Sequence, residues 1–322
     1  MKKKFEFEKD KDVSTKHMSF EELEHYSIRN VLRDIYDQFL RRPFYFFKYK
    51  NFFKYQKYRI DLTLPSKGFS QKSRRDRLNQ MKKITGKKIL NIGCGNAFDY
   101  HLWFKYKPKK IVGIDVLNYQ NSWDKVYNYV KKKKIDIEIK FYKKDFVDFD
   151  YEEKFDFIVS DAVFEHCRDL KKVIKKCHKF LKDDGVMYAS YGGPMWFTYN
   201  GDHFSGRDHV KNGYNHLILE KKDYQDYVDQ NIGSFNYELN QGGGGGILVE
   251  NDLFSKLLAN EYFEIFKENN FYSECTYVEY CPIGYRLMKK DLILKKKLLE
   301  KYKLIHPENF FLKTHIVYLK KI

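Results

Sequence analysis

The sequence predicts an α/β protein built on an open, mostly parallel sheet with helices on both faces. Three observations predict it. Between about residues 86 and 191, apolar runs of strand length alternate with stretches of helical periodicity. The first run, Ile89-Leu90-Asn91-Ile92, ends in Gly93-Cys94-Gly95, followed by Asn96 and Ala97. Acids close the next runs at Asp115, Asp145 and Asp161. Open parallel sheets bind ligands beyond the carboxyl ends of their strands, so the glycines and these acids are expected on one edge.

Residues 1–80 precede the glycine loop and read as a helical extension with a basic, aromatic stretch. Ser19 with Glu22 resembles a capping box. Leu23, Tyr26, Ile28, Val31, Leu32, Ile35, Tyr36 and Leu40 then recur at roughly helical spacing. Arg41–Lys50 mixes cations with aromatics. An RNA, a lipid surface or a substrate would suit it. The simpler expectation is a helical cap whose rings pack on the main domain while lysine tails reach into water.

The main domain is expected over 81–322, with an insert at about 194–250. Its predicted strands are Lys88–Ile92, Lys110–Asp115, Ile137–Tyr142, Phe155–Asp161 and Gly185–Tyr191. Val173, Ile174, Cys177, Phe180 and Leu181 form one helical stripe, which Asp183-Asp184-Gly185 is expected to close. The insert lacks periodicity and carries the five-glycine run Gly242–Gly246, expected as a mobile loop. Leu253–Asn269 reads as a helix and Phe271–Tyr280 as a strand. Leu292–Tyr302 reads as a Lys-rich exposed helix, and Thr314–Leu319 as the last strand.

Composition narrows the class. At 322 residues the chain can bury one large core, or one core plus an appendage. Its 61 Lys and Arg against 44 Asp and Glu give a net charge of +17, which invites an anionic partner. Lysine dominates that excess, as expected of a generally solvating surface. The cysteines, Cys94, Cys167, Cys177, Cys275 and Cys281, are odd in number and form no C-x-x-C pair, so neither a disulfide framework nor a zinc site is expected. The basic start has no continuous apolar segment of the signal-peptide kind, and a cytoplasmic location is expected. No uncharged apolar run approaches the ~20 residues that span a bilayer.

The strand ends carry the chemistry. Asp115 lies 20 positions after Gly95, where an acid can accept both hydroxyls of a ribose. A dinucleotide fingerprint wants a third glycine where this chain has Phe98. No G-x-x-x-x-G-K-S/T loop occurs. A nucleoside ligand without phosphates is therefore favoured. Asp145 can accept from the exocyclic amine of an adenine, and Phe146 can offer its ring to the base.

These residues resemble the class I S-adenosylmethionine-dependent methyltransferases, type 11-like. The glycine loop, Asp115, Lys144-Asp145-Phe146 and the run from Phe155 to His166 match that family's motifs in order and spacing. The resemblance implies a Rossmann-like, seven-stranded, mostly parallel sheet and S-adenosylmethionine as cofactor. It implies that Gly93 and Gly95 back the methionine part and that Asp115 binds ribose, with Cys94 and Val116 also among the cofactor-binding residues. Asp145 and Phe146 would hold adenine, with Asp161 and Ala162 lining the wall. Asn91 stands where the family usually has an acid, and its amide oxygen can still accept from the cofactor's amino group. Ala97 replaces a common third glycine. Gly193-Pro194-Met195-Trp196, Gly201-Asp202-His203 and Asn215-His216-Leu217 are similar to a series in bacterial methyltransferases linked to sugars, glycans or secondary metabolites.

A sulfonium methyl is already electrophilic. The protein must place an acceptor in line and, for a hydroxyl, remove its proton. Histidine suits that task near neutral pH. His203, with Asp202 beside it, is the first candidate, His216 the second and His166 the third; His209 also lies in the insert. Trp196, Tyr199 and Tyr214 are candidate stacking walls. No metal cluster is recognisable, and none is expected. The favoured acceptor is a small molecule or glycan hydroxyl. RNA or DNA methylation through the basic amino-terminal segment is the alternative, although Ser160-Asp161-Ala162-Val163 is not the Asn/Asp-Pro-Pro-aromatic turn that grips a flipped base. A cofactor-binding partner protein that has lost catalysis is a third reading, which Asn91 and Ala97 permit.

Overall fold

The computed structural model describes residues 12–14, 60–66, 68–192, 196–206, 209–231 and 252–322, with a few positions between 32 and 44. Strand β1 (Leu62–Pro65) leads to α1 (Gln71–Met81), β2 (Lys88–Ile92), the short α2 (His101–Phe104), β3 (Lys110–Asp115), α3 (Gln120–Lys132) and β4 (Glu138–Lys143). Then come β5 (Phe155–Asp161), α4 (Leu170–Phe180), β6 (Leu181–Gly192), α5 (Asn215–Ile218) and α6 (Lys221–Asn231). The chain ends with α7 (Ala259–Glu268), β7 (Phe271–Tyr280), α8 (Pro282–Lys290), α9 (Leu292–Lys301) and β8 (Leu312–Lys321).

One sheet carries the strands in the order β1-β7-β8-β6-β5-β2-β3-β4. Only β8 among these runs antiparallel to its neighbours, β6 and β7. The sheet has eight strands rather than seven. The additional one is β1, from the segment expected to be a separate extension; Leu62 pairs with Tyr277 and Pro65 with Tyr280 on the β7 edge. Proline, which cannot donate to a ladder, is tolerated there because no further strand follows among the described residues. Residues from about 60 onward thus share the sheet and core of the main domain. Most of the preceding segment, including Ser19, Glu22 and nearly all of Arg41–Lys50, lies outside the described residues, as does Gly242–Gly246. Leu32, Ile35, Phe39 and Phe44 are described, and they are exposed.

Strand side chains alternate between faces, and that period divides the core in two. Leu90, Ile92, Val112, Ile114 and Ile158 face Val173, Ile174 and Cys177 of α4 and Tyr262 and Phe266 of α7. Ile89, Ile111, Phe157 and Val159 face Leu78 of α1, Trp103 of α2, and Trp123 and Val126 of α3. Chain order reverses between β2 and β5: β3 and β4 extend the sheet on one side, β5 and β6 on the other. The carboxyl ends of β2 and β5 therefore flank a crevice.

Several elements differ from expectation. Helix α4 stops at Phe180, and Leu181 is already extended and fully buried, pairing with Phe155. Asp183-Asp184-Gly185 accordingly lies within β6 instead of closing the helix. Residues 253–258 form an extended lead, and α7 starts only at Ala259, where Glu261 accepts from the Leu258 amide at 2.5 Å. Before the Lys-rich helix, α8 begins at Pro282, a residue favoured in a first helical turn. Among the described residues no helix is long and apolar enough to cross a membrane.

Candidate active site

The glycine loop is fixed by β3. Gly93 N and Cys94 N both donate to Ile114 O, at 2.8 and 3.1 Å. Gly93 has φ +69°, and a Cβ there would collide with Val163 Cγ2, so glycine is required on both counts. Gly95 (φ +48°) differs: a Cβ would meet nothing within 4 Å, because this side of the loop faces open space. Asp115 braces the loop, its Oδ2 accepting from Gly95 N at 2.8 Å and its Oδ1 from Leu117 N at 2.9 Å. Burial raises the Asp115 carboxyl above its usual range, and those backbone donors only partly offset it. Trp123 Nε1 donates to Gly95 O at 2.8 Å from α3. Val116 is 59% exposed, an apolar side chain held open beside an acid. Cys94 is buried, which pushes its thiol well up.

Asn91 is nearly enclosed, and its Nδ2 donates to Tyr100 OH at 3.4 Å, which fixes the direction of its oxygen. Asp145 caps the turn Phe146–Asp148 by accepting from Val147 N at 2.8 Å. Phe146 is 5% exposed and packs against Phe180, so its ring belongs to the core and presents no open face. Ala162 takes a left-handed φ of 57°, and its amide donates to Ser190 O at 2.7 Å.

Asp161 sits in a buried ionic cluster that the sequence did not announce. Arg75 Nη2 donates to it at 3.1 Å, Arg74 Nη1 lies at 3.6 Å, and Tyr188 and Ser190 hydroxyls also donate. Arg75 is 1% exposed, bonds Asp99 as well, and lies 4.6 Å above the Trp103 ring. Burial opposes the charged form of Asp161, but the two arginines and two hydroxyls outweigh it and hold the carboxyl below its usual range. For Asp99 burial wins, and its carboxyl rises. Both arginines come from α1, whose polar string Gln71-Lys72-Ser73-Arg74-Arg75-Asp76-Arg77 gives no sign of burial.

Beyond β5 and β6 the structure brings the three candidate histidines into one cluster. His166 and His203 rings are 5.6 Å apart, and both meet Phe254, at 5.7 and 6.1 Å. Phe254 meets Trp196 at 4.9 Å, and Trp196 meets His216 edge-on at 5.1 Å. His166 Nδ1 donates to Leu253 O at 2.7 Å. A carbonyl can only accept, so the ring is the Nδ1–H tautomer with its lone pair on Nε2. Burial holds the His166 and His216 imidazoles below their usual range, hence neutral. His216 Nε2 donates to Trp196 O at 2.8 Å.

Asp202 is tied into the insert's own backbone and side chains. It is fully buried and accepts from Phe204 N, Ser205 N and Oγ, and Tyr224 OH, with His216 Nδ1 at 3.8 Å. Tyr199 and Tyr214 lie beneath the surface, packed edge to face at 5.6 Å, and Tyr214 OH donates to Phe310 O. These two rings are packing beneath the insert; Trp196 alone of the three aromatics stays half-exposed.

Glu165 was also missed. It is 2% exposed, its Oε2 has no hydrogen-bond partner, and burial raises it to about 8. It is therefore protonated at neutral pH. A folded state that holds a proton more tightly than the unfolded chain loses stability as pH rises from the ordinary Glu value to the raised one. Glu165→Gln should remove that slope, gaining on the order of 2 kcal/mol over wild type near pH 8 and little near pH 4. Urea unfolding at both pH values would test it, and parallel curves would refute it.

Fold and crevice together define an α/β domain with an open glycine loop at its strand-order reversal. Residues 84–232 match the family model described as a methyltransferase domain. This stretch, a little under half of the chain, is similar to a methyltransferase domain. The chain is similar to the sterol 24-C-methyltransferase of Debaryomyces hansenii, 29% identical over 128 residues that cover 39% of this chain and 32% of that one. It is similar to the malonyl-[acyl-carrier protein] O-methyltransferase of Bacillus anthracis, 28% identical over 138 residues, 42% of this chain and 49% of that one. The chain thus spans between a third and a half of the length of these relatives. Among solved structures it is similar to an S-adenosylmethionine-dependent methyltransferase of Mesorhizobium loti, with a TM-score of 0.45, 14% identity, and coverage of 76% of this chain and 96% of that one.

Proposed function

We propose that the protein transfers a methyl group from S-adenosylmethionine to a hydroxyl of a small molecule or glycan. The observation that carries this reading is the juxtaposition at the β2–β5 reversal of an open glycine loop braced by Asp115 with the His166–His203 ring pair beyond β5. The residues present fit an adenosyl group: Gly95 leaves room beside the backbone, Asp115 offers carboxylate lone pairs to ribose hydroxyls, and Val116 offers an apolar flank to the base. When bound, S-adenosylmethionine supplies a methyl already activated on its sulfonium. The remaining work falls to the chain: to orient an acceptor among Trp196, Phe254 and His203, and to take its proton at His166 Nε2.

The Leu253 hydrogen bond is what moves His166 ahead of His203 as the base, since it fixes the tautomer that leaves Nε2 as the acceptor. His216 has its Nε2 proton directed at a carbonyl and sits deeper, against Asp202. An O-methyltransferase among the similar proteins accords with a hydroxyl or carboxyl oxygen as acceptor atom.

Calorimetric titration with S-adenosylmethionine, its demethylated product, ATP and NADH tests the reading. The first two should bind and the last two should not. Asp115→Ala should weaken S-adenosylmethionine by roughly ten- to a hundredfold, the worth of hydrogen bonds to a charged group. Preference for ATP or NADH, or undiminished affinity in the variant, would overturn it.

A further inference from the structure

We infer that the corner formed by α8 and α9 docks on an anionic lipid surface. Helix α9 buries Leu294 and Leu298, four residues apart, against the domain. The opposite face leaves Leu292 71% and Ile293 73% exposed, and Leu304, just beyond the helix, is 99% exposed. Lysines frame these apolar side chains: Lys289 and Lys290 precede them and Lys296 and Lys297 follow one turn on, all exposed. From Arg286 to Leu304 there are eight cationic side chains and two carboxylates. Of those two, Asp291 caps α9 through the Leu294 amide at 2.9 Å, and Glu300 lies 3.8 Å from Lys296.

The pairing of features selects the occupant. A second copy of this face would set like charges against each other. A nucleic acid would meet the lysines and leave the Leu-Ile pair in water. An anionic bilayer meets both demands, taking the apolar side chains below its headgroups while the lysines stay among them. Placement agrees. Strand β7 is parallel to β1, and it is antiparallel to β8, which is antiparallel to β6. Helix α8 therefore begins at the carboxyl edge of the parallel strands, the edge that carries the glycine loop. Helix α9 adjoins α5, the bearer of His216, because Tyr302 OH donates to Leu217 O at 3.1 Å. A membrane under this corner would lie beside the acceptor side of the crevice.

The full chain is floated with vesicles of one part phosphatidylglycerol to two parts phosphatidylcholine, and with pure phosphatidylcholine. Wild type should partition into the anionic vesicles at least about tenfold better than into neutral ones, and added salt should weaken it. Leu292→Ser/Ile293→Ser and, separately, Lys296→Gln/Lys297→Gln should each lower that partition about tenfold. All four side chains are exposed, so melting temperature should hold and report intact folding. Wild type left in the soluble fraction, or variants that float as well as wild type, would overturn the inference. Self-association that Leu292→Ser/Ile293→Ser abolishes, without vesicle binding, would overturn it in favour of a second copy. None of these readings depends on methyl transfer, so their failure is distinct from failure of the proposed activity.

Discussion

Replacing Arg75 with methionine is expected to destabilise the fold by about 3–5 kcal/mol at neutral pH, the cost of leaving buried charge without its partner. Methionine nearly matches arginine in length and can still lie on Trp103, so the loss is electrostatic rather than a cavity. Asp161 would keep Arg74, Tyr188 and Ser190, whereas Asp99 would lose the guanidinium that offsets its burial. The sign of the pH dependence follows. In wild type the Asp161 carboxyl is held below its usual range, so its contribution is present above the ordinary Asp value and lost as pH falls through the lowered one. In Arg75→Met both carboxyls move up, and protonation relieves the penalty sooner. The gap between variant and wild type should thus be widest at neutral pH and narrow toward about pH 4. Urea unfolding across that range checks it. A gap under ~1 kcal/mol, or one that does not change with pH, would remove the cluster as a source of stability.

His166→Ala should lower methyl transfer about 10²–10⁴-fold, the usual contribution of a placed proton acceptor, while S-adenosylmethionine affinity changes little. The readout is S-adenosylhomocysteine release with a panel of hydroxylated acceptors. His166 acts as the neutral base and burial keeps it neutral, so wild-type activity should fall only as pH drops through its lowered value. The variant should lose that acidic limb. His203→Ala, which removes a ring 5.6 Å away, should cost less, about tenfold. If His166→Ala turns over at the wild-type rate, the proton leaves by another route and the proposed base is wrong.

Much of the sheet was legible because its information is local. Lys88–Ile92, Lys110–Asp115, Phe155–Asp161 and Phe271–Tyr280 are short runs rich in apolar, aromatic and β-branched residues, and their bounds agree with the structure. The edge bearing Gly93, Asp115 and Asp161 follows from those strands. What the sequence hid is information carried by partners. Arg74 and Arg75 sit in a string that looks solvated, and their burial depends on acids 24 and 86 positions onward from Arg75. The end of α4 was misplaced because Leu181 continues a helical stripe in sequence, while its pairing with Phe155 commits it to β6. Phe146 and Tyr214 are ring-bearing residues near the right loops, but nothing in spacing distinguishes a ring facing a ligand from one facing the core. Phe254 carried no motif, and only the folded chain brings it to His166, while Glu165 lies inside a motif run that gives no sign of its burial.

The reach of α1 back to Asp161 and of β1 onto the β7 edge redraws the smallest piece of this chain that can stand alone. Begun at residue 84, where the family match starts, the domain would shed Arg74 and Arg75, which pair with Asp161 and Asp99, and would strip β7 of its outer neighbour. Such a fragment would keep every motif and lack what lets them sit together. The recognisable portion begins at residue 84, whereas the sheet it packs into begins at β1, about two dozen residues earlier.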